Sequence, residues 1–148
     1  MRQITATVEI DASPDRVWAV LTDTAKHSTW NPFITKMAGT LAVGQKLEIR
    51  IAPPGGKPMS FHPTVTEVQP PHRLAWLGHL GFRGLFDGAH AFTLTPIANG
   101  RTQLVQTEDF SGVLVWLSRG LLTKTAAGFE AMHKALREEV SEFPQSRS

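Results

Sequence analysis

The sequence predicts an α+β fold in which a curved antiparallel sheet wraps around one long C-terminal helix. Three observations predict it. A strand-like alternation opens the chain and runs into a capped helix. Strand and turn signals then fill the middle, as far as Phe110, and an apolar stripe of helical period occupies the end. The chain has 148 residues, the length of one domain, and no repeat or linker divides it.

Ile4, Ala6, Val8 and Ile10 alternate with Gln3, Thr5, Thr7 and Glu9, the period of two of a strand with one buried face. Ser13-Pro14-Asp15 then supplies an N-cap, a proline at the first helical position and an acid in the first turn. The helix buries Val17, Trp18 and Leu21 and stops near Asp23. A second short segment ends at Trp30-Asn31-Pro32-Phe33, where proline bars continuation. Six more strands make seven: Ile34–Leu41, Lys46–Ile51, Met59–Gln69, Arg73–His79, Phe86–Thr95 and Arg101–Phe110. Their breaks are Val43-Gly44-Gln45, the proline- and glycine-rich run from Ala52 to Pro58, Pro70-Pro71 and Gly81–Gly84. Leu122, Thr125, Phe129, Met132, Leu136 and Val140 recur at helical spacing over about five turns, with Lys124, Glu130, Lys134, Arg137 and Glu138 mostly opposite. The domain is read as residues 1–142, and residues 143–148 as a flexible tail.

Composition removes several function classes. Without cysteine there are no disulfides, thiolate metal sites or thiol nucleophiles, which fits a cytoplasmic protein. The net charge is +2, and the basic residues are scattered rather than gathered in the stripe of a nucleic-acid binder. No apolar run reaches the roughly 20 residues of a membrane span, and Met1–Asp11 reads as a strand rather than a signal peptide. Stable membrane insertion is not expected. A monomer or a homodimer is.

Register brings two polar residues together. Cross-strand partners share a face, so Phe92 and Leu94 must lie beside Gln106 and Leu104. A two-residue turn at Asn99-Gly100 breaks that parity, whereas a three-residue loop, Ala98-Asn99-Gly100 with Gly100 left-handed, restores it. His90 then faces Glu108, Phe92 faces Gln106, and both pairs look inward. A carboxylate beside an imidazole suits proton handling or ligand orientation; the same pair also suits a satisfied polar contact within a sheet. Trp30, Phe61, Trp76, Phe110, Phe129 and Met132 either line a ligand cavity or pack the core. His27, His62, His72, His79 and His133 lack metal-ligand spacing, and neither a GxSxG elbow nor a phosphate-cradling loop is present. No metal and no cofactor are expected.

Taken together, Ile10-Asp11-Ala12-Ser13-Pro14-Asp15-Arg16-Val17-Trp18, Trp30-Asn31-Pro32-Phe33, Pro71-His72-Arg73-Leu74-Ala75-Trp76, Phe86-Asp87-Gly88-Ala89-His90-Ala91-Phe92, Glu108-Asp109-Phe110-Ser111-Gly112 and Phe129-Glu130-Ala131-Met132 resemble the SRPBCC superfamily. Its helix-grip fold is shared by START lipid-transfer domains, pollen allergens and bacterial polyketide cyclases. The resemblance runs in order from about Arg2 to Ser141 and is nearest to bacterial single-domain, polyketide cyclase-like members. It implies a binder of a hydrophobic small molecule (a polyketide, lipid or aromatic metabolite) in an internal cavity between sheet and helix. A cyclase or dehydratase using His90 with Glu108 is the alternative, and a co-chaperone-like interaction domain the second alternative. The chain has no tyrosine, so a cyclase mechanism that relies on a tyrosine hydroxyl does not transfer to it.

Overall fold

The computed structural model describes residues 2–79, 84–85, 87–112 and 119–142. Strand β1 (Arg2–Ile10) leads to helix α1 (Pro14–Leu21), a 3-10 turn (Thr24–Lys26) and helix α2 (His27–Trp30). Strands β2 (Ile34–Ala38), β3 (Glu48–Ile51), β4 (Met59–Phe61), β5 (Thr64–Gln69), β6 (Arg73–His79), β7 (Asp87–Ile97) and β8 (Arg101–Ser111) follow, and helix α3 (Arg119–Glu142) closes the fold. The tail at residues 143–148, Phe86 and most of the Gly81–Gly84 break lie outside the described residues.

Local chemistry explains the first elements. The Ser13 hydroxyl accepts from the Arg16 N–H at 3.3 Å and Pro14 opens α1, which satisfies one of the amides a helix start leaves unpaired. Val17, Val20 and Leu21 are buried, whereas Trp18 is only partly so; the helix turns Val20 inward where Trp18 was expected. At α2 a buried polar knot fixes the entry to β2. The His27 Nε2–H donates to the Leu21 carbonyl at 2.7 Å, and His27 Nδ1 accepts from Asn31 Nδ2 at 3.0 Å. Asn31 Oδ1 in turn accepts from the Phe33 and Ile34 amides, both at 2.9 Å. Burial lowers the His27 pKa, which keeps the ring in the neutral form that this pattern requires.

Among the described residues eight strands form, not seven, and they divide into two antiparallel sheets, β1-β8-β7-β6-β5 and β2-β3-β4. The expected strand Met59–Gln69 splits at His62-Pro63, because a proline has no N–H for the ladder. The Pro63 carbonyl instead accepts from the Leu47 amide, and Val65 exchanges backbone bonds with Gln45 and Gly44, all at 2.9 Å. These few bonds tie the small sheet to the large one. Strand β2 ends at Ala38 rather than Leu41, where Gly39 takes a φ of +119° against the backbone of Lys46 and Leu47.

Helix α3 lies against both sheets through its apolar stripe. Leu122, Thr125, Phe129, Met132, Leu136 and Val140 are all buried, as the helical period requires. Phe33 meets Phe129 edge-on at 5.6 Å, and a Cβ at Gly128 would collide with the Phe33 ring. Phe129 is fully buried, so Phe129→Ala should lower stability by about 3–5 kcal/mol in a denaturant titration. A loss below about 0.5 kcal/mol would mean that this face does not carry the packing.

Candidate functional site

The β7–β8 hairpin sets the site. Ile97 pairs with Arg101 across a three-residue loop. Asn99 and Gly100 both adopt left-handed backbone, with φ of 65° and 70°. From that loop the ladder places Leu94 opposite Leu104, Phe92 opposite Gln106 and His90 opposite Glu108. The rows extend across the sheet: Trp76, His90, Glu108 and Ile4 form one, and Leu74, Phe92, Gln106 and Ala6 the next. Beyond them Gly78 pairs with Gly88, and Gly88 with Phe110. All share the inward face.

The polar side chains on this face form a chain. Glu108 Oε1 lies 2.9 Å from His90 Nδ1, His90 Nε2 lies 2.8 Å from Gln106 Oε1, and Gln106 Nε2 lies 2.9 Å from Nε2 of His133 on α3. Gln106 is fully buried and His90 and His133 nearly so, while the Glu108 side chain is 15% exposed. Aromatic rings enclose His90. Trp76 stacks on it at 5.0 Å and 16°, Phe92 tilts against it at 4.8 Å, and Phe129 meets it edge-on at 5.3 Å.

A cleft opens at the Glu108 end of the chain. The small sheet contributes Ile34, Ile49, Ile51, Met59 and Phe61 to its walls. The large sheet contributes Trp76, Gly78, Gly88, His90, Glu108 and Phe110, and α3 contributes Leu121 and Thr125. The two facing glycines make the room. A Cβ at Gly88 would collide with Glu108 Oε2, and one at Gly78 would press on the Phe61 ring at 3.2 Å. The cavity is small, about 50 Å³, against the roughly 300–1,000 Å³ of a formed small-molecule site.

Of the residues singled out from sequence, His90, Glu108, Phe61, Trp76 and Phe110 meet at the cleft. Gln106 stands behind His90. Phe92, Phe129 and Met132 have no exposed surface and pack the core. Trp30 is partly buried, tilts against His27 at 4.9 Å and is not among the cleft-lining residues. The sequence reading passes over His133 and the two glycines. His133 follows Phe129 by four residues and precedes Leu136 by three, so a wider reading of the helical stripe would include it. The glycines become legible only once register sets them opposite each other. His79, which also lines the cleft, pairs with Asp87 at 2.7 Å. Among the described residues no group of three or more histidine or acidic side chains could hold a metal ion, and no helix is long and apolar enough to cross a membrane.

Comparison with known proteins places these features in context. A family model described as polyketide cyclase/dehydrase and lipid transport matches residues 1–141. The Zhui aromatase/cyclase of a Streptomyces species superposes with a TM-score of 0.76 at 19% identity, covering 95% of this chain and 93% of that one. A Mesorhizobium loti protein superposes with a TM-score of 0.75 at 22% identity, over 97% and 99% of the two chains. A START superfamily protein of Mycobacterium smegmatis gives 0.71 at 23% identity, over 96% and 99%. No curated protein matches the sequence. At these identities the structural likeness speaks to the fold.

Two measurements check the site. Burial, and then the nearby His90, lower the His133 pKa from 6.5 to about 4. Below pH 6.5 the unfolded chain therefore takes up a proton that the folded chain refuses. Stability should fall between about pH 6.5 and about pH 4, by about 3 kcal/mol from this residue, and level off below. His27 contributes in the same direction. Urea titrations across that range should show a shallower slope in His133→Gln; an unchanged slope would assign the loss elsewhere. Separately, a double-mutant cycle with His90→Ala and Glu108→Ala should show coupling above about 0.5 kcal/mol, and strict additivity would dissolve the pair.

Proposed function

Because the chain belongs to the polyketide cyclase/dehydrase and lipid transport family, we propose that it binds a hydrophobic small molecule, such as a polyketide, lipid or aromatic metabolite, in the cleft between its two sheets and α3. The observation that carries this reading is an apolar cleft with one polar pair, His90 and Glu108, in its wall. Apolar walls supply affinity and a few placed polar groups supply orientation. Glu108 is suited to accept a hydrogen bond from a ligand hydroxyl while His90 holds its other oxygen. A cavity of about 50 Å³ is smaller than such a ligand, so this reading requires the cleft to widen on binding. The free energy of that opening reduces the apparent affinity. A cysteine-free chain suits a cytoplasmic setting.

The second reading, a cyclase or dehydratase, draws on the same pair. A carboxylate hydrogen-bonded to an imidazole at the edge of an apolar cleft has the composition of a general acid–base site. It requires turnover that vanishes in Glu108→Gln while ligand binding persists. Nothing favours the interaction-domain reading. Val43 is the one large hydrophobic residue that is exposed among the described residues, and a docking patch needs many.

Nile red, a neutral apolar dye, tests the binding reading. It should bind the folded protein with a blue-shifted emission, and Ile51→Trp and Leu121→Trp, each at the cleft, should weaken binding at least about tenfold, or roughly 1.4 kcal/mol. Unchanged binding in both variants, with native circular dichroism, would move the site away from this cleft.

A further inference from the structure

His133 is a buried titratable group at the far end of a chain whose cleft-facing end is Glu108. Between them the Gln106 side chain offers an acceptor at one end and a donor at the other, and each meets an imidazole. The amide is unlike at its two ends, so its orientation dictates where the ring protons reside. With Gln106 Oε1 on His90, His90 must donate from Nε2, and its Nδ1 meets Glu108 Oε1. Gln106 Nε2 donates to His133 Nε2, which must be bare, and the single His133 proton resides on Nδ1. That atom is buried and has no partner among the described residues.

One further feature agrees with this arrangement. Burial and the neighbouring His90 hold the His133 pKa at about 4, leaving that ring neutral. The reversed amide would require His90 to accept at Nε2 and His133 to donate from Nε2, so the two arrangements differ in the His133 tautomer.

We propose that Gln106 is a positioning residue, which holds the Nε2–H of His90 and the Nδ1–H tautomer of His133, so that Glu108 keeps Oε1 on His90 and rests Oε2 over Gly88 at the cleft. The purpose of this device rests on the cleft being the binding site; its test does not. Nitrogen-15 spectra of histidine-labelled, ligand-free protein at neutral pH read the tautomers directly. The expected result is an Nδ1–H tautomer for His133 and an N–H on Nε2 of His90. In Gln106→Glu, whose carboxylate only accepts, His133 should switch to the Nε2–H form. An Nε2–H His133 in the unaltered protein would overturn the proposal, as would an unchanged His133 signal in Gln106→Glu. If that variant does not fold, the unaltered protein still decides by its own His133 tautomer. Dye binding is scored apart, so its absence counts against the cleft reading and not against this one.

Discussion

The site depends on a register. Side chains alternate faces along a strand, so a shift of one residue between β7 and β8 would turn His90 or Glu108 to the outer surface and dissolve every contact described for them. The shift is prevented at the hairpin, where Asn99 and Gly100 accept left-handed backbone, and it is opposed along the ladder by burial of Phe92, Leu94, Leu104 and Gln106. The polar chain and the apolar core therefore share one cause. The same alternation that buries Leu104 delivers Gln106 and Glu108 to the interior, two and four residues on.

Burying three polar residues in that interior is costly unless each finds a partner. Here the partners are one another, with His133 Nδ1 left unpaired among the described residues. Glu108 satisfies His90, His90 satisfies Gln106, and Gln106 reaches His133, so the aromatic rings around His90 can exclude water without stranding its nitrogens. A chain of this kind is sensitive at every link, since loss of one member leaves its neighbours unmatched in a medium that amplifies the loss. That sensitivity differs from the behaviour of Phe92 or Met132 nearby, whose replacement costs volume and contact area alone.

Much of this was legible in the sequence, because the determining signals are local. The alternation in β1, the Ser13-Pro14-Asp15 cap, the stripe of α3 and the parity argument at Asn99-Gly100 each need only neighbours in the chain. The His90–Glu108 and Phe92–Gln106 pairings follow from that parity. What was not legible depends on elements remote in sequence. Whether Phe129 and Met132 line a cavity or fill it depends on how closely α3 approaches the sheets, and no local pattern encodes a distance. The break at Pro63 was readable from a missing amide, yet its effect, a small sheet standing apart, is a property of the assembled fold. His133 lay within reach of the helical period, but its partner is on another element.

Gly128 has a consequence beyond the close fit of Phe33. A helix resting on a sheet can roll about its own axis, and apolar side chains of similar size resist rolling only weakly. A notch that accepts one ring and no other setting fixes the roll angle. His133 is five residues further along, and its ring is about 6 Å from the axis, so a roll of about 20° would carry it sideways by about 2 Å. That displacement is comparable to the 2.9 Å span of its bond to Gln106. The absent side chain at position 128 thus works as an angular index, setting the azimuth at which a histidine on the helix meets an amide on the sheet.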